Sequence, residues 1–136
     1  MKLKKSLFLF FSVILFSCAS SILTNRESYK RITYPGLATE KPFVTYIVDF
    51  ESNSDFSISD VKLNNITVQY VVLSKSDKAY TKVLSNLKAG EYSISFKSYE
   101  IDDFKNDDVV TLFYETADKA KKQQFIIEKR KPIKRR

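Results

Sequence analysis

From residue 43 to residue 50 the chain alternates without a break. Val44, Tyr46, Val48 and Phe50 share one face; Phe43, Thr45, Ile47 and Asp49 share the other, which turns polar toward its end. Period two in β-branched and aromatic residues predicts a strand. Residues 56–63 and 66–73 repeat the pattern around Asn64-Asn65 and predict a hairpin, because asparagine tolerates positive φ in a two-residue loop. Residues 29–34 predict a short first strand closed by the turn signal Pro35-Gly36. Weaker alternation over 80–84 and clearer alternation over 93–96, 109–114 and 125–128 bring the total to about seven or eight short strands. Residues 115–124 are polar and read as a long hairpin loop or one helical turn. No stretch of the mature chain carries a long helical period. Short strands at regular spacing predict an all-β fold, a single antiparallel β-sandwich, rather than a parallel α/β sheet.

One short stretch narrows that class. Leu87-Lys88-Ala89-Gly90-Glu91-Tyr92 leads a leucine, a glycine and a tyrosine into a strand. It resembles the corner before strand F of immunoglobulin-like sandwiches, and the resemblance implies that the Tyr92 hydroxyl bonds back to the preceding loop. The Cys…Trp…Cys set of immunoglobulin domains proper is absent, so the implication reaches only the broad immunoglobulin-like sandwich.

The first 17 residues have a different grammar. Lys2, Lys4 and Lys5 are followed by an apolar run over 7–16, broken only by Ser12, and then by small residues. The run is about half the roughly 20 residues that a membrane-spanning helix needs, and it has no polar face of the kind a core helix shows. A positive flank, a short apolar core and a small-residue exit predict a signal peptide over 1–17. Its exit, Leu15-Phe16-Ser17-Cys18, resembles the lipobox of bacterial lipoproteins, with an aliphatic residue at −3, a small one at −1 and then the cysteine; Phe16 departs from the usual −2 residue. The resemblance implies a diacylglyceryl thioether on Cys18, cleavage before it and acylation of the new amine. Two or three acyl chains, at about 0.8 kcal/mol per buried CH2, anchor a protein that one chain would hold only reversibly. Ordinary cleavage nearby is the alternative, and it leaves Cys18 as a free thiol or an intermolecular disulfide. A lone exported cysteine has no internal partner, and lipidation accounts for it. The expected location is therefore the bacterial cell envelope, lipid-anchored at the periplasmic face or the cell surface.

Charge then divides the remainder. The chain has 23 Lys and Arg against 16 Asp and Glu, a net of +7, but Lys129, Arg130, Lys131, Lys134, Arg135 and Arg136 crowd its last eight positions. Residues 18–128 hold 14 basic against 16 acidic side chains, a net of −2. A near-neutral domain with mixed charges argues against nucleic acid as a partner. The expected organisation is a tether over 18–27, one β-sandwich domain over 28–128, and a basic tail over 129–136 that extends into solvent. There it either contacts an anionic partner such as phospholipid, an envelope polymer or another envelope protein, or serves only as a solubilising tail.

Reactive groups are few. There is no histidine, and with only Gly36 and Gly90 there is no phosphate-cradling glycine loop. No cofactor and no catalytic set are expected. Asp102, Asp103, Asp107 and Asp108 crowd one loop and form the candidate Ca2+ site, since a hard cation takes 6–8 oxygen ligands; Asp49, Glu51, Asn53 and Asp55 form a weaker one. Tyr34, Tyr70, Tyr80, Tyr99 and Tyr114 are candidates for an aromatic ligand platform. The expected function is a non-catalytic binding or structural module. The alternatives are a carbohydrate- or Ca2+-binding module at the loop end of the sandwich, or an enzyme built on a carboxylate pair.

Overall fold

The computed structural model describes residues 21–76, 79–82, 86–117 and 119–135, without the side chains of 76, 79–82, 102 and 103. Residues 1–17, expected to be a signal peptide, and Cys18 lie outside the described residues. So do Arg136 and the side chains of Asp102, Asp103 and Tyr80.

The fold is all-β, with ten strands among the described residues. They are β1 (Leu23–Tyr34), β2 (Phe43–Ser52), β3 (Ser57–Leu63), β4 (Ile66–Thr67), β5 (Val71–Ser76), β6 (Ala79–Lys82), β7 (Gly90–Ser98), β8 (Asp108–Glu115), β9 (Ala120–Lys129) and β10 (Ile133–Lys134), with a 3-10 turn at Ile101–Lys105. They join in one curled sheet of order β4-β3-β8-β9-β1-β2-β7-β5-β6, with β10 beside β1. Most pairs are antiparallel, but β1 pairs with β9 and with β10 in parallel. The expectation of a purely antiparallel sheet is corrected there.

Alternation decides which face is buried. Val44, Tyr46, Val48 and Phe50, which share one face of β2, point inward, and they meet Tyr92, Ile94 and Phe96 of β7 and Val110, Leu112 and Tyr114 of β8. Toward the end where β1 begins, the core is aromatic. Phe56 sits edge-on to Phe50, Tyr92 and Tyr114, with centroids 5.4–6.4 Å apart. The Tyr92 hydroxyl donates to the Lys88 carbonyl at 2.5 Å, so the bond back to the preceding loop is present. The Asn64-Asn65 turn has φ of 49° and 69°, the positive pair that a two-residue hairpin needs. The second hairpin arm, expected over 66–73, is interrupted at 68–70. β4 ends after two residues beside β3, and β5 pairs with β7 on the other half of the sheet.

Both chain ends of the domain differ from expectation. Residues 23–27, assigned to a tether, belong to β1 and pair with residues 49–52 of β2 across a bulge between Asn25 and Glu27. The basic tail does not leave the domain freely. Lys129 closes β9, the Arg130 amide donates to the Lys30 carbonyl at 3.0 Å, and Ile133 and Lys134 pair with Thr33 and Tyr34. The register moves by one residue between these contacts, across Lys131-Pro132. Proline lacks the N–H a continuous ladder would use. The polar stretch 115–124 is mostly strand: β8 and β9 pair up to Glu115 and Ala120, and the loop is only four residues long.

Candidate functional site

The strand directions define two ends of the molecule. β1 starts at Leu23 and runs 12 residues to Tyr34, a span of about 36 Å at roughly 3.3 Å per residue. β9 and β10 run parallel to it, so Lys129 to Arg135 gather at the Tyr34 end. The starts of β2 and β8, the Asn64-Asn65 turn, the end of β7 and the 3-10 turn lie at that same end.

A charged pair is buried beneath it. Lys30 stands on the inward face of β1 between Ser28 and Ile32 and is 0% exposed; Asp108, the first residue of β8, is 3% exposed. The Lys30 ammonium donates to Asp108 Oδ2 at 2.5 Å and to the Asn106 carbonyl at 2.8 Å. It also lies 5.4 Å from the Phe104 ring centroid and 5.9 Å from that of Tyr46. Asp108 accepts two further bonds, from the Tyr46 hydroxyl at 3.0 Å and from Asn64 Nδ2 at 2.7 Å. Asn64 in turn accepts from the Val109 amide at 2.9 Å. Burial alone would push the Asp108 carboxyl up. The hydrogen bonds from Lys30, Asn64 and Tyr46 and the lysine charge outweigh it and hold the group below the ordinary carboxylate range.

That engagement separates Asp108 from Asp107, two of the four expected Ca2+ ligands. Asp108 faces the core, whereas Asp107 is solvent-exposed with Lys129 Nζ 3.5 Å away. Glu51 is paired with Arg26, and Asp55 with Lys88 and the Ala89 amide, so the second acidic group is also divided. Among the described residues no three such groups converge as a metal site requires. Sequence reasoning missed Lys30 altogether. The signal was a lysine at an inward position of an alternating strand, in a run too short to fix which face was buried.

Beside Asp108 lies a cavity of about 350 Å³. Tyr46, Asn64, Val68, Phe96, Glu100 and Asn106 are among the residues that line it, and Tyr46 and Phe96 stack on each other at 4.8 Å. Of the candidate tyrosines, Tyr114 is buried and Tyr70 half-buried, while Tyr34 (36% exposed) and Tyr99 (66%) stand at the end of the molecule that carries the tail.

The outer surface at this end is cationic. Arg31, Thr45 and Lys97 are side by side on β1, β2 and β7. The Lys97 ammonium is 4.5 Å from the Phe43 ring centroid, and Tyr99 meets that ring edge-on at 6.2 Å. Arg130 stacks on Tyr29 at 3.7 Å and pairs with Glu27. Lys131, Lys134 and Arg135 are exposed and form no ion pair among the described residues. Of the six tail cations, two are therefore bound to the domain and three face solvent; Arg136 lies outside the described residues. No protein-family model matches the chain, and no curated protein matches it.

Proposed function

We propose that this chain is a bacterial envelope lipoprotein, anchored by acyl chains on Cys18, whose β domain is a non-catalytic binding module of immunoglobulin-like sandwich type. The observation that carries the anchor is Leu15-Phe16-Ser17-Cys18 directly after a lysine-flanked apolar run. Because β1 begins at Leu23, only residues 18–22 separate Cys18 from the sheet, a reach of at most about 17 Å. The domain is held close to the bilayer by its N-terminal end.

The strand order supports the sandwich. β1-β2-β7-β5 and β3-β8-β9 follow the A-B-E-D and C-F-G orders of immunoglobulin-like folds. In that correspondence Tyr92 stands on strand E rather than strand F, so its bond to Lys88 is a corner of similar geometry at a different place. The test of the anchor is fractionation of cells that make the wild-type chain or Cys18→Ala. The wild type is expected in the membrane fraction, released by detergent and not by high salt, while the variant leaves that fraction. Release of the wild type by salt alone contradicts the anchor.

A second reading, a small-ligand module for carbohydrate, is favoured by the cavity beside Asp108, whose volume is at the lower end for ligand pockets. Binding on a glycan array that is lost in Asn64→Ala or Glu100→Ala separates it from the first. Ca2+ as the ligand is tested by the melting temperature, and no rise in excess Ca2+ removes it.

A further inference from the structure

We infer that the Tyr34 end of the molecule is a docking surface for an anionic polysaccharide, which it meets on the side away from the anchoring bilayer. Three observations carry this. First, Lys131, Lys134 and Arg135 are exposed and form no ion pair among the described residues; Lys134 lies in β10 beside β1, and the Arg135 amide donates to the Tyr34 carbonyl at 2.9 Å, so this stretch is tied to the sheet. Successive side chains of an extended strand point to opposite sides, so Lys134 and Arg135 place positive charge on both sides of β10, with Lys131 preceding it. Arg31 and Lys97 continue the positive field onto the adjoining sheet face.

Second, the surface mixes cations with exposed phenol rings. Tyr99 projects from the Phe43 ring that Lys97 also covers, and Tyr34 lies in the backbone ladder next to Lys134. The axial C–H groups of a sugar ring pack on such a ring while its acidic substituent meets a lysine or arginine. A polyanion without rings would use only the charges.

Third, the surface sits about 36 Å along β1 from the strand start nearest Cys18. With a reach of at most about 17 Å over residues 18–22, an upright domain presents this end away from its own membrane. This part of the inference rests on the lipid-anchor reading; the charge and ring chemistry do not.

The test uses the full mature protein, purified from its own membrane and placed in phosphatidylcholine nanodiscs by its anchor. The probe is polygalacturonate, with polyglutamate as the ring-free control. Wild type is expected to bind polygalacturonate in low salt and to weaken steeply as salt rises, because screening acts on exposed charges. Lys131→Gln, Lys134→Gln and Arg135→Gln together are expected to weaken binding by about tenfold or more. Tyr99→Ala, an exposed position that leaves the core intact, should weaken polygalacturonate several-fold and leave polyglutamate unchanged. No binding, or equal binding by the triple variant, overturns the proposal. Loss of polymer binding when phosphatidylglycerol is added to the discs also overturns it, since the surface is then occupied by the bilayer. A protein that carries no acyl chains fails to enter the discs, which contradicts the anchor alone. The same variants titrated in solution then still decide the polysaccharide surface.

Discussion

Lys30 and Asp108 show how one buried charge is made tolerable by its neighbours. An ammonium without water needs acceptors, and Asp108 and the Asn106 carbonyl supply them; Asp108 needs donors, and Lys30, Tyr46 and Asn64 supply those. Removing one partner strands the other, so Lys30→Met is expected to cost about 3–5 kcal/mol in urea unfolding. The double variant Lys30→Met with Asp108→Asn is expected to cost less than the sum of the single ones. Acid sensitivity has a definite sign. The folded Asp108 carboxyl titrates below its unfolded value. Its stabilisation is therefore complete above the ordinary carboxylate value of about 3.9 and is lost as the pH falls through the folded value. Urea midpoints at neutral and strongly acidic pH should diverge more for the wild type than for the double variant. Equal divergence would remove Asp108 as the source. None of this was legible in the chain. Asp108 reads as the last of a solvated acidic run, and only the start of β8 at that residue turns it inward, away from Asp107.

At the scale of elements, alternation carried far where one face is apolar and failed where it is not. β2 and β8 were readable because most of their inward positions, Val44, Tyr46, Val48 and Phe50 on one and Val110, Leu112 and Tyr114 on the other, are apolar or aromatic. The first half of β1, Leu-Thr-Asn-Arg-Glu, and of β9, Ala-Lys-Lys-Gln-Gln, carry no such period. They are strands because β2 and β8 offer complete hydrogen-bonding edges beside them. The Asn64-Asn65 turn separates two roles that the sequence shows as one. Asn65→Gly keeps the turn and is expected to change stability by no more than about 0.5 kcal/mol. Asn64→Gly also keeps it but removes the bonds to Asp108 and to the Val109 amide, with an expected cost of about 1–3 kcal/mol. Equal effects in chemical denaturation would show that the turn alone matters. Tyr92→Phe is expected to cost about 0.5–1.5 kcal/mol by the same measurement, the value of one hydrogen bond.

For the whole molecule, the two ends differ in what they carry. The N-terminal end carries the aromatic core cluster and lies nearest Cys18; the far end carries the buried ion pair, the cavity and the exposed cations. The proposed compartment rests on the first 18 residues alone, because export signals are written in local composition. The far end was not legible, because parallel pairing of β1 with β9 and β10 joins residues about a hundred positions apart, and no local pattern records that. In the proposed arrangement, acyl chains at Cys18 set which end faces the membrane. The direct measurement is the intact mass of the protein extracted from its own cell envelope. A mass equal to residues 18–136 plus two or three acyl chains is the predicted result. An unacylated mass, with cleavage beyond Cys18 or with the thiol free, would contradict it and leave the basic strand at the far end as the means of attachment.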